Sequence, residues 1–227
     1  VAMPRVPSSL VPALLALLLT GCAGVPRGAY SPDPTAPTTA ALARALYRAA
    51  QAAGTDPARY SFALVASPRV AALSAEDGVF YFTEGLAAAP PAHVDALVAQ
   101  AVAHEVLGHA GQRRTLTVGV SAGFAALGVV VPGLGLVDLL ANPLIVRAFS
   151  REQEIAADRR AVDLLATMGY PAPRRTLAAA LRAAAAANGP PRGGLLAREP
   201  TLDARLAALE PLEPEVAAAP GAPGDAR

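Results

Sequence analysis

The chain has no lysine, one cysteine and few aromatic residues, and each shortage closes off a class of protein. All 19 basic side chains are arginine, set against 18 acidic ones, for a formal net charge of +1. No basic run stands out among them, so the sequence builds no basic face for nucleic acid. The single cysteine, Cys22, leaves no possibility of an intrachain disulfide. Aromatics make up 4% of the residues while hydrophobics make up 53%, much of it alanine. That balance favours small-residue helix packing over a β-sandwich. A length of 227 residues suits one domain with a real core and is short for two.

What is present begins with an export pattern. Arg5 precedes an apolar run from Leu10 to Leu19 that is too short to span a bilayer. It ends in Leu19-Thr20-Gly21-Cys22, so residues 1–21 read as a secretory signal. A cysteine directly after small residues resembles the bacterial lipobox, in which the thiol is diacylated and the chain is cut before it. An ordinary signal with an incidental cysteine is the competing reading. On the lipobox reading Cys22 carries the lipidation, and the chain is tethered to the membrane by lipid, not by a spanning helix. Ala23, where aspartate would signal retention, points to the periplasmic face of the outer membrane as the place in the cell envelope. Residues 22–37, with Pro26, Pro32, Pro34 and Pro37, read as a flexible tether. Residues 211–227, rich in Pro, Ala and Gly, read as a disordered tail.

Residues 38–210 read as the folded domain, of α+β class and mostly helical, with a small β-sheet. Thr38 or Thr39 caps a first helix that Gly54 ends. Short strands are expected over 60–65, 69–73 and 79–83, with Asp77-Gly78 as a turn before the last. Pro90-Pro91 opens a helix at the position that tolerates proline, and it runs on into His104-Glu105-Val106-Leu107-Gly108-His109. Ser150 caps a helix that Gly169 ends; another runs from Arg174 to Asn188, and a short one from Thr201 to Leu209. Residues 115–137 carry no charge. Pro132, Gly133 and Gly135 break that stretch into two short arms. It reads as a helical hairpin packed on the domain or dipping into the lipid surface, and less well as a spanning helix.

The histidine helix carries the chemistry. Zinc hydrolases place two histidines one helical turn apart so that both imidazoles meet the metal, with a glutamate beside the first as proton acceptor. His104, Glu105 and His109 follow that order with one extra residue. On a regular helix, position i+5 lies about 140° from position i, so both rings cannot face one ion. A π-turn eased by Gly108 is the expected remedy. The third ligand has its candidate in Ser150-Arg151-Glu152-Gln153-Glu154-Ile155-Ala156-Ala157-Asp158. Glu154 and Asp158 lie one turn apart on one face. Glu154 can reach the metal, and Asp158 can accept from the far N–H of a ligating histidine.

With these motifs in place the sequence resembles peptidase family M48, the CAAX prenyl protease and HtpX-like zinc metallopeptidases with their periplasmic lipoprotein branch. Ala71-Ala72-Leu73 and Gly78 to Leu86 look like that family's strand and Gly-Leu step before the metal helix. Ser150 to Asp158 with Gly169-Tyr170-Pro171, and Glu199-Pro200-Thr201 with Arg205-Leu206, look like its later helices. The resemblance implies a zincin-like domain that binds Zn2+ through His104, His109 and Glu154, with Glu105 as catalytic base and Asp158 in support behind the ligands. Two features depart from the family. Its metal box has two residues between Glu and the second His, and this chain has three, a length resembling the box of dipeptidyl peptidase III enzymes. Glu199 stands where a histidine usually precedes proline, which leaves the oxyanion donor unnamed, with Tyr170 and Arg198 as candidates.

The expected activity is metalloendopeptidase cleavage of envelope polypeptides by a water activated on zinc and deprotonated by Glu105. The strand over 79–83 is expected to hold an extended substrate at a sheet edge. The alternative from another class is a catalytically degenerate lipoprotein that binds unfolded envelope proteins as a chaperone or scaffold.

Overall fold

Alanine dominates the interior, and it lets helices approach closely. Ala45, Ala49, Ala96, Ala99, Ala103, Ala157, Ala161 and Ala178 are all at most 2% exposed and share one core with Leu42, Phe80, Phe82, Leu86, Val98 and Leu164. The computed structural model describes residue 26, residues 28–75 and 77–109, residue 111, and residues 149–189 and 200–214. Residues 1–21 expected to be a signal, Cys22, the uncharged stretch 115–137 with nearly all of its following arm, Arg198, Glu199 and, of the expected tail over 211–227, the part from 215 onward lie outside them. Among the described residues no helix is long and apolar enough to cross a membrane.

The elements run β1 (Ala29–Tyr30), α1 (Pro37–Ala52), β2 (Ser61–Val65), β3 (Ala72–Ser74), β4 (Val79–Thr83), α2 (Glu84–Ala87), α3 (Pro91–Val106), α4 (Arg151–Thr167), α5 (Pro173–Asn188) and α6 (Leu202–Ala208). This is the mostly helical α+β architecture the composition implies. Helix α3 is central. It packs on α1, α4, α5 and β3, and ten of its sixteen residues are buried. Local sequence fixes the helix ends. Pro91 opens α3. At the start of α4 the Ser150 hydroxyl accepts from the Gln153 N–H while the Gln153 side chain returns the bond to the Ser150 N–H, closing a capping box.

The sheet order is β1-β2-β4-β3, with β4 parallel to β2 and antiparallel to β3. Two expectations change here. The strand over 79–83 is interior, not an edge; β3 is the outermost strand on that side. The stretch 22–37, expected to be flexible throughout, also contains a strand, because Ala29 and Tyr30 pair antiparallel with Val65 and Leu64. The Tyr30 hydroxyl then donates to Glu84 at 2.7 Å.

The Gly-Leu step has a steric cause. A Cβ at Gly85 would lie 2.3 Å from the Pro68 carbonyl oxygen and 2.4 Å from that of Arg69. Gly85 therefore lets the 67–69 turn close onto the start of α2, and Leu86 fills the core beneath it.

Candidate metal centre

The histidine box sits at the C-terminal end of α3, and the helix does not continue through it. Leu107 is the C-cap, with φ −82° and ψ −2°. Gly108 follows in the left-handed region at φ +68°, and helical backbone resumes at His109. The expected π-turn is absent. The extra residue is absorbed by stopping one helix and starting another, a stop that glycine permits at no steric cost.

That break brings His109 back onto His104. Their Nδ1 atoms are 3.1 Å apart, and both side chains are buried. Phe149 stacks on the face of the His104 ring at 3.8 Å between centroids and 18° between planes. From α4, Glu154 places Oε1 3.6 Å from His104 Nε2. Gln100, one turn before His104, donates to Glu154 Oε2 at 3.2 Å. Arg205 of α6 closes the back of the site. Its Nε and one terminal nitrogen donate to the two Asp158 oxygens at 2.8 and 2.6 Å, and its other terminal nitrogen stands 3.4 Å from Glu154.

Charge states follow from these contacts. Burial pushes Glu154 upward, but the His104 contact and the Arg205 charge outweigh it and hold its carboxyl below the ordinary carboxylate range. For Asp158 burial wins over Arg205 and raises the carboxyl. Asp158 does not accept from a histidine, as the helix spacing implied; Arg205 takes both of its oxygens, and Glu154 is the carboxylate at the His104 ring.

Glu105 points elsewhere. Its Oε1 accepts from the Gly78 N–H at 3.1 Å and its Oε2 from the Ser74 hydroxyl at 3.4 Å, so it leans on the β3–β4 hairpin. It makes no hydrogen bond or ion pair with His104, His109 or Glu154 among the described residues. Burial raises its carboxyl above the ordinary range, and the Gly78 and Ser74 donors offset part of that rise. Tyr170 is not an oxyanion donor here. Its hydroxyl donates to Asp95, about 13 Å down α3 from His104 by helical rise.

The residues fit a zinc ion in kind, and in arrangement the two histidines fit best. Two ligands about 2.05 Å from a tetrahedral ion are about 3.3 Å apart, close to the 3.1 Å between the imidazole nitrogens. Glu154 faces the opposite edge of the His104 ring. For that reason, among the described residues, no three His, Cys, Asp or Glu side chains are placed to hold a metal together. Gln100, Phe149 and Arg205 complete the site without having been picked out as its parts. Gln100 was open to detection, since it lies at i−4 to His104; the others reach it only through the fold. The model of a protein family described as peptidase family M48 matches residues 36–213. No curated protein matches the chain.

Proposed function

The chain belongs to peptidase family M48, and from that premise we propose that it is a zinc-dependent metalloendopeptidase acting on proteins of the cell envelope. Membership in a peptidase family makes it a hydrolase of the metalloprotease class. The observation that supports the zinc reading is the buried pair of His104 and His109, whose imidazole nitrogens stand 3.1 Å apart. His104 and His109 would hold the metal, and Glu154, which faces the other edge of the His104 ring, would have to turn toward it to serve as third ligand. Bound there, zinc would supply a Lewis acid that polarises the scissile carbonyl and the attacking water.

The chain's own residues do the rest. Glu105 is the proton acceptor, and its raised carboxyl lies nearer neutral pH than an ordinary glutamate, which suits a group that takes a proton and gives it back. His104 and Arg205 favour the ionised form of Glu154, and Gln100 holds it in place. Strand β3 takes the substrate, because it is the outermost strand beside Glu105 and an extended chain can add to it by main-chain hydrogen bonds.

Glu105→Gln tests the reading. The amide keeps the shape and cannot accept the proton, so casein cleavage falls by roughly 10²- to 10⁴-fold while zinc content stays that of the wild type. Equal cleavage by both proteins would remove Glu105 from the chemistry. The envelope location rests on the lipobox. Cys22→Ser should shift the protein out of the membrane fraction; retention there in high salt would mean that the anchor lies elsewhere.

A further inference from the structure

An imidazole has little torsional preference of its own about the bond that joins it to Cβ. That torsion is broad and roughly two-fold, so the plane of a histidine ring is set by what touches it. His104 needs its plane set closely, because both edges of the ring have a partner. Nδ1 faces His109 Nδ1 at 3.1 Å, and Nε2 faces Glu154 Oε1 at 3.6 Å. A half-turn of the ring would put a carbon in place of each nitrogen and break both contacts. A quarter-turn would swing both nitrogens out of line.

The plane is held from its face. The Phe149 ring lies on that face with centroids 3.8 Å apart and planes 18° apart. The same phenyl meets His109 only at a tilt, at 5.8 Å and 52°, and His109 stands edge-on to His104 at 5.2 Å and 67°. All three rings are buried. What fixes Phe149 is next to it in the chain. Ser150 closes the capping box of α4 with Gln153, which pins the backbone one residue after the phenyl. One turn further on, the same helix carries Glu154. A single helix end therefore presents Phe149 to the face of His104 and Glu154 to its edge.

We infer that Phe149 is a positioning residue for the metal. It holds the plane of His104 so that the nitrogen turned toward His109 is aligned before an ion arrives. The phenyl itself offers no ligand atom and acts only through His104. This rests on the zinc reading given above. The size of the effect is bounded. With the stack lost, only the fraction of molecules whose ring lies in the competent plane can bind, and the apparent Kd rises in inverse proportion to that fraction. The worth of one aromatic pair beyond its buried area limits the rise to roughly two- to tenfold.

Zinc titration of the full-length protein against a chelating dye, with melting temperatures measured alongside, tests this. Phe149→Leu stays apolar and loses the flat face, so its Kd for zinc rises roughly two- to tenfold. Phe149→Tyr keeps the face and binds zinc as the wild type does. Phe82→Leu makes the same exchange at a fully buried position of the sheet, and it lowers the melting temperature with no change in Kd. Phe149→Met, whose chain adapts more readily to its surroundings, makes the same test if the leucine variant folds poorly. A folded Phe149→Leu or Phe149→Met variant with the wild-type Kd overturns the positioning role, and so does an equal loss in the leucine and tyrosine variants. Proton NMR of the protein stripped of metal reads the ring without zinc. Cross-peaks between the His104 and His109 rings are strong in the wild type and weaken in Phe149→Leu as the His104 ring turns. If the protein takes up no zinc, that counts against the zinc reading alone, and the cross-peaks still decide the positioning role: unchanged in Phe149→Leu, they overturn it.

Discussion

The two ends of α3 both bury charge, yet only one is built to accept more of it. Near the start of the helix, Asp95 is 5% exposed and receives the Arg48 guanidinium and the Tyr170 hydroxyl. One carboxylate meets one guanidinium, and the phenol stays neutral, pushed up to about 12 by burial and by its bond to Asp95. At the last turn, Glu154 and Asp158 share the single guanidinium of Arg205 beside two histidines. With neutral imidazoles that end holds one more negative than positive charge among these residues. It also sits at the negative pole of the helix, where a cation is favoured. A surface cavity of about 300 Å³ opens at the Asp95 end, lined by Arg48, Gln51, Ala52, Thr167 and Met168. On the metallopeptidase reading, the charge left over among these residues suits a cation.

Removing the guanidinium from each end sharpens that contrast. Arg205→Met leaves Asp158, fully buried, and Glu154 without their counter-charge, and breaking such a buried pair costs about 3–5 kcal/mol. Without Arg205 the carboxyls bind protons more readily in the fold than in the unfolded chain. Stability is then greatest below their unfolded values and is lost as pH rises through the raised folded ones, so the deficit should shrink toward acid pH. Arg48 has a half-exposed side chain, and Asp95 keeps its Tyr170 donor, so Arg48→Met should cost about 1 kcal/mol. Urea unfolding of both variants measures the difference. Equal losses would mean that the two ends are alike.

A smaller effect separates the two helix stops. Gly108 and Gly169 both follow a C-cap in the left-handed region, at φ +68° and +90°, and a Cβ at either meets nothing within 4 Å. Alanine there costs about 1–2 kcal/mol of backbone strain alone. Only the first stop aims a proposed ligand. Gly108→Ala should lower zinc affinity as well as melting temperature, whereas Gly169→Ala should lower melting temperature only. Zinc titration of the two variants checks this, and equal affinities would show that His109 does not depend on the break.

Local signals were the legible part of the molecule. Ser150, Pro90-Pro91 and Gly169 bound their helices because a cap or a stop acts on residues within one turn, and the aromatic run Phe80-Tyr81-Phe82 after the Asp77-Gly78 turn marks that strand to the residue. Sheet order was not legible. The parallel pairing of β2 with β4 skips over β3, and nothing in either strand's own pattern states which neighbour lies beside it. The same holds for Ala29–Tyr30, which becomes a strand only because β2 offers it an edge. In the site, the pairing of His104 with His109 was foreseen while its means was not, since a π-turn and a helix stop at Gly108 absorb the same extra residue. Asp158 was read against its own helix, but its partner Arg205 comes from 47 positions away.

The least perturbing test concerns the link between Glu105 and the substrate edge. Burial raises the Glu105 carboxyl, while the Gly78 N–H and the Ser74 hydroxyl favour its charged form and limit the rise. As proton acceptor it must be ionised, so activity falls as pH drops through its value, which lies above the ordinary carboxylate range. Ser74→Ala removes one donor to the charged form. The value then climbs further, and the acid limb of kcat/KM moves to higher pH while the rate on the plateau is unchanged. Stability shifts with the same sign. A raised folded value favours the fold below the unfolded value and loses that contribution as pH rises through the folded one, so Ser74→Ala should be more destabilising at neutral than at acid pH. At 3.4 Å the bond is long, and the displacement of the limb is accordingly the smallest effect expected. A pH–rate profile with its acid limb unmoved would show that Ser74 does not share the Glu105 charge, and that the strand next to the base shapes the substrate edge without tuning the chemistry.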